Sequence, residues 1–250
     1  MQENLNKKTG GLFLVLALVL VVVMAGCLGP NSGTTAPPAN SGSGRAVFSM
    51  TDATADMGSI SEIKWTVDSV SVHSQTQGWI TVSTSSKTVS LLELKNSGQS
   101  AVLADVQLKH GNYDQVRLMV SNVQVTDGAG THGTKLPSGE IKIVNNFEAK
   151  SGEIASASFD VLASESLHVT GNGEYVMAPV INMESRNGVD IQSQGSDRIK
   201  ISGGTVFTST KVGMTADGVV DVGLSIPNNA AISIGNDGKV HVDSMIDVGG

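Results

Sequence analysis

From Arg45 to Val242 the chain reads as short runs of Val, Ile, Thr and Ser cut by Gly, Asn and Asp, a punctuation that strongly favours β-sheet. Residues 46–50 form a first short strand. Ile63, Trp65 and Val67 alternate with polar residues, and Val70 and Val72 continue on the other parity, which places a β-bulge near Asp68 and Ser69. Gln77-Gly78 turns the chain into a strand over 79–82, and another is expected over 89–94. A long strand over 113–125 presents Val116, Leu118 and Val120 on one face and stops at Asp127-Gly128. Residues 141–144, 155–161 and 175–183 continue the pattern, while 100–107 has room for one helical turn. No long amphipathic helix is present.

This pattern predicts an all-β chain whose main domain, 45–186, is a β-sandwich, immunoglobulin-like or prealbumin-like. Asn187-Gly188 is read as a boundary, with a small C-terminal β region over 187–250. Short strands are expected there at 199–201, 205–207, 219–224, 231–234 and 239–242, with hairpin turns at 215–218 and 236–238. So few large apolar side chains are marginal for independent stability, so this tail should dock on the main domain or form a small meander. It shows no exact repeat of the kind a solenoid needs.

The N-terminus follows a different logic. Lys7 and Lys8 precede an apolar run from Leu12 to Met24, and Ala25-Gly26-Cys27 closes it. A charged start, an apolar middle and small residues before a cleavage point describe a signal peptide over 1–26. The segment Val23-Met24-Ala25-Gly26-Cys27 resembles a lipobox, in which the Cys27 thiol is the nucleophile that takes up a diacylglycerol-type lipid. The apolar run is shorter than the about 20 residues that span a bilayer, which disfavours an uncleaved anchor. Residues 27–44, rich in Pro, Gly, Ser and Thr, cannot bury enough surface to offset their ordering entropy and read as a flexible, lipid-anchored linker. These features place the remainder of the chain outside the cytoplasm, held to the membrane or envelope surface through Cys27.

Charge and cysteine usage exclude several function classes. The formal net charge is -7, and removing 1–26 takes away Lys7, Lys8 and Glu3, leaving about -8. No basic run exists, so nucleic acid is not an expected partner. With Cys27 the one cysteine, neither an internal disulfide nor a CxxC site is possible. There is no GxSxG, no HExxH and no phosphate-binding loop, and Ser138 in Pro137-Ser138-Gly139 reads as a turn. No cofactor is expected.

A set of spaced motifs runs through the main domain. It begins with Met50-Thr51-Asp52-Ala53 and continues through Gly78-Trp79, the Leu-Leu-Glu-Leu run at 91–94 and Gly111-Asn112-Tyr113-Asp114-Gln115-Val116-Arg117-Leu118. Leu136-Pro137-Ser138-Gly139, Ile141-Lys142-Ile143, Phe159-Asp160, Ser166-Leu167-His168 and the run from Tyr175 to Ile181 complete it. In this order and spacing, residues 45–185 resemble the extracytoplasmic domain-of-unknown-function family 4382. Thr54 stands where the family's first box has proline, which concerns only the local turn. The resemblance implies a secreted β-fold and no particular reaction.

Candidate site residues are few. Asp52 and Asp56 fall in the loop expected after the first strand, and with Asp160 they offer carboxylate oxygens for Ca²⁺. Asp52 can equally cap a turn or pair with Arg117, and no EF-hand spacing is present. Arg117 lies in an apolar strand with Tyr113 and Gln115 on its parity. Such a face can bind sugar or peptide, line the solvent side of an edge sheet, or place Arg117 in a buried pair with Asp160; the structural pair is the preferred reading. His73, His110, His132, His168 and His241 show no paired ligand spacing. Trp65 and Trp79 can form a carbohydrate platform or sandwich core, with core preferred. The leading expectation is a non-catalytic surface module for carbohydrate, peptide or an envelope protein. The alternatives are a structural or adhesive envelope protein and a metal-assisted extracytoplasmic hydrolase.

Overall fold

Two-residue alternation carries most of the chain into strands. The computed structural model describes residues 42–52 and 57–245. In chain order the first elements are β1 (Ser43–Thr51), β2 (Glu62–Ser74), β3 (Gly78–Ser83), β4 (Lys87–Ser90), α1 (Leu91–Ser97), β5 (Ser100–Lys109), β6 (Gly111–Asp127), β7 (Gly130–Lys135) and β8 (Glu140–Ala149). They are followed by β9 (Ile154–Val161), the single turn α2 (Ala163–Ser166), β10 (Leu167–Val169), β11 (Tyr175–Met177), β12 (Val180–Ser193), β13 (Arg198–Met214), β14 (Val220–Val222), β15 (Ala230–Ile234) and β16 (Val240–Met245).

The first sheet has the order β12-β9-β1-β5-β13-β14, with β1 and β9 parallel and the other neighbours antiparallel. β12 and β13 also pair with each other, from Val180↔Gly213 to Ser193↔Ile199. The start of β13 reaches β5 through Arg198↔Ala101 and Ile199↔Ser100, so β12-β9-β1-β5-β13 closes into a ring. Closure satisfies backbone groups that an open edge would expose. Gly203 and Gly204, at φ 67° and 70°, let one long strand bend where two short ones were expected at 199–201 and 205–207.

The second sheet has the order β10-β11-β7-β6-β2-β3, with β4 alongside β2 and β8 alongside β6. The β2–β6 register shifts between Val67 and Ser69, where the parity change predicted a bulge. The two sheets pack as an all-β, sandwich-like body around one apolar cluster that includes Phe48, Trp65, Tyr113, Leu118, Phe147 and Phe159. Phe147 of β8 joins the sheets: its ring centroid is 5.6 Å from Phe48 and 5.8 Å from Tyr113. Buried Asn145 is satisfied across the same junction, donating to the Met183 carbonyl at 3.1 Å and accepting from the Thr208 hydroxyl.

Three local expectations change. Residues 91–97 form a helix rather than a strand, because Leu91 and Leu94 fall on one helical face and are both fully buried, and the Gly98 N–H caps the Leu94 and Lys95 carbonyls. Residues 100–109 form a strand rather than a helical turn, because they close the pairing with β1. The boundary at Asn187-Gly188 falls inside β12, whose pairs with β13 run through it and whose pairs with β9 reach Asn187, so 187–214 completes the first sheet. Further on, Ile226, Ile232 and Val240 belong to the same apolar cluster as the main strands.

Candidate functional site

The outer face of the second sheet carries an array of interacting polar and aromatic groups. Pairing of β3, β2, β6 and β8 sets Trp79, His73, Gln115 and Val144 in one row across the sheet, and Thr81, Ser71, Arg117 and Lys142 in the next. Their strand neighbours Val72, Val116 and Ile143 are fully buried, so both rows face outward. Arg117 reaches diagonally and places its guanidinium carbon 4.0 Å from the Trp79 ring centroid. Its Nε is 3.4 Å from Glu140 Oε1. The His73 ring lies 5.2 Å from Trp79, and His73 Nδ1 is 2.6 Å from Asp114 Oδ1. That contact with His73 is the largest influence and holds the Asp114 carboxyl below the usual carboxylate range against the opposing effect of burial, with the His73 charge and Gln75 adding to the lowering. Trp79 keeps 39% of its surface open in the midst of this array.

A recess of about 570 Å³ adjoins the array. The β2–β3 turn supplies Gln75 and Gln77, β6 supplies Asn112 and Asp114, and Asn146 and Phe207 close it from β8 and β13. Phe207 is 43% exposed. A second, wider recess of about 740 Å³ lies between the β6–β7 hairpin and the β10–β11 turn. Beside it the Tyr175 hydroxyl donates to Asp127 Oδ2 at 2.7 Å, the Ala129 N–H donates to Asp127 Oδ1 at 2.8 Å, and His132 Nε2 approaches at 3.0 Å. Led by the Tyr175 hydroxyl, these bonds lower the Asp127 carboxyl to about 2, and the same bond raises the Tyr175 phenol.

The residues singled out from the sequence disperse. Asp52, 3% exposed, follows β1, and Asp160 sits beside Thr51 on β9, so these two come to one end of the first sheet. Asp56 and Cys27 lie outside the described residues. Among the described residues no group of three His, Cys, Asp or Glu side chains is placed to hold a metal. Arg117 stands on the other sheet, where Trp79 and Glu140 replace the expected Asp52 or Asp160 partner. Tyr113 does not share the face of Arg117. The register shifts between Tyr113 and Gln115, which turns the tyrosine into the core at 1% exposure. There its hydroxyl donates to the Lys109 carbonyl at 3.0 Å, and burial pushes the phenol up.

The tryptophans divide. Trp65 is fully buried, whereas Trp79 faces out. Alternation already carried this signal: Trp65 shares parity with Ile63 and Val67, but Trp79 shares parity with Thr81 and Ser83. His73, Asp114 and Glu140 had no such signal, since only strand pairing brings them to Trp79 and Arg117. Pairing also gives His132 and His241 aspartate neighbours, the latter with Nε2 3.4 Å from Asp237 Oδ1.

Among the described residues no helix is long and apolar enough to cross a membrane. Residues 43–179, over half of the chain, match the model of a family described as a domain of unknown function, DUF4382. No curated protein and no solved structure matches the chain.

Proposed function

The chain belongs to this domain-of-unknown-function family, and from that premise we propose that it is a lipid-tethered, non-catalytic binding module on the outer side of a prokaryotic membrane. The tether rests on the lipobox-like run ending at Cys27 and the polar linker that follows it. The observation that carries the binding role is Trp79. A large aromatic ring gains most from burial, yet this one stands open on a sheet face. Arg117 and His73 hold it in place, and a recess adjoins it. A rigid aromatic anchor beside a concave surface with fixed polar groups is the architecture of ligand recognition. The array pairs His73 with Asp114 and Arg117 with Glu140, but offers no hydroxyl or thiol nucleophile hydrogen-bonded to either histidine ring nitrogen or carboxylate in it.

The test uses the full chain, purified in detergent, mixed separately with polysaccharide and protein fractions of the cell envelope and sedimented. Wild type should co-sediment with one fraction and Trp79→Ala should remain in solution. The mature chain should begin at Cys27 and carry lipid by intact mass. Equal sedimentation of both proteins, an unmodified thiol on an uncleaved chain, or turnover of ester, peptide or glycoside substrates would each overturn the reading.

A further inference from the structure

Engaged charges separate the recess near Trp79 from an ordinary ion-binding surface. Asp114, the carboxylate in its wall, is held by His73 at 2.6 Å. Arg117, on the adjoining face, is engaged by Glu140 and by the Trp79 ring. A charged ligand at either group competes with the partner already there.

Apart from Asp114 and His110, the residues that line the recess are uncharged. Four carboxamides line the recess, from Gln75, Gln77, Asn112 and Asn146. A carboxamide presents two donors and an acceptor in one plane, which suits vicinal hydroxyls that both donate and accept. Gln75 lies close enough to Asp114 to help lower its carboxyl, and Gln77 close enough to Tyr113 to oppose the rise of its phenol. The side chains of Asn112 and Asn146 make no hydrogen bond to other described residues.

The apolar component is aromatic. Among the described residues Trp79 and Phe207 are the exposed aromatic side chains, at 39% and 43%. Phe207 lines the recess, and Trp79 follows Gln77 by two residues. Flat apolar rings beside planar amides match a ring that has C–H faces and a hydroxyl rim. The wall is built by the β2–β3 turn, the start of β6 and single residues of β8 and β13, not by a run of strand backbone that a peptide strand would extend.

We infer that the recess between the β2–β3 turn, the start of β6 and Phe207 binds a neutral oligosaccharide, with Phe207 and Trp79 as stacking surfaces and Asn112, Asn146, Gln75 and Gln77 reading its hydroxyls. The inference rests on the binding-module reading and specifies its ligand class. The test applies the full detergent-solubilised chain to an array of neutral hexose and N-acetylhexosamine oligosaccharides. Matched uronic-acid oligosaccharides and an unstructured neutral peptide are included. The best neutral probe is then titrated calorimetrically.

Saturable binding of a neutral probe is expected, with uronic-acid probes bound no more tightly. Phe207→Ser and Asn112→Ala should each weaken binding at least tenfold with unchanged circular dichroism and melting temperature. Neutral binding that survives both substitutions overturns this location. Binding only of uronic-acid probes or only of peptide overturns the ligand class and leaves the binding-module reading standing. No binding of any probe overturns the neutral-glycan assignment, and if wild type and Trp79→Ala also sediment equally with envelope fractions, the binding-module reading falls with it.

Discussion

Replacing each tryptophan by alanine should separate core from surface by a wide margin. Trp65 is fully buried in β2, opposite Val123 of β6 and Val89 of β4. Truncating a fully buried tryptophan costs about 3–5 kcal/mol, because transfer free energy is lost and a cavity remains. Its indole N–H has no partner in the core, so Trp65→Phe removes a buried unsatisfied donor along with some volume and should cost far less. Trp79 is 39% exposed, and its main specific contact is the Arg117 guanidinium at 4.0 Å. At such a site a cation–π contact contributes about 0.5–1 kcal/mol. Adding the half-buried ring area brings Trp79→Ala to about 1–2 kcal/mol.

Urea unfolding of the full chain in detergent, followed by far-ultraviolet circular dichroism, measures the difference. With a slope of about 2 kcal/mol per molar urea, Trp65→Ala should lower the midpoint by roughly 2 M and Trp79→Ala by less than about 1 M. Since the chain has two tryptophans, Trp65→Phe and Trp79→Phe each leave a single tryptophan, which can be excited selectively at the red edge of its absorption. Acrylamide should quench the Trp79 signal readily and the Trp65 signal poorly. Equal midpoint losses, or equal quenching, would refute the separation of the two residues and remove the exposed anchor on which the proposed function stands.

Two further outcomes test the fold and its electrostatics. A Cβ on Gly213 would lie 1.8 Å from the Leu224 carbonyl oxygen, so Gly213→Ala must displace backbone. It should cost at least about 1–3 kcal/mol and raise amide exchange at Val220 and Val222. Gly128→Ala, which meets nothing within 4 Å, should leave the melting temperature unchanged, and equal behaviour of the two variants would contradict the β13–β14 approach. Asp127, lowered to about 2 chiefly by the Tyr175 hydroxyl, contributes stability above the ordinary carboxylate range and loses it as pH falls through the folded value. Tyr175→Phe should move the Asp127 titration, followed by carboxyl carbon-13 shifts, back toward the ordinary range near 4, and an unchanged titration would show that another group sets it.

The all-β class, the bulge after Val67 and the inward set Val116, Leu118 and Val120 were legible in the order of residues, and so was the family. These are local or ordered signals: side chains alternate at a period of two, and an offset of one residue shows as a parity change. The run at 91–97 was not legible, because Leu-Leu-Glu-Leu fits a strand and a helical turn equally well until Leu91 and Leu94 find the core together. A second parity change, at Asp114, sends Tyr113 inward, away from Arg117. Closure of the first sheet through β13, and the meeting of Arg117 with Trp79 and Glu140, came from pairing between strands far apart in the chain. Periodicity tells each strand which face to bury but carries no address for its neighbour. That choice is made only when the whole chain satisfies its backbone hydrogen bonds and its apolar faces at once.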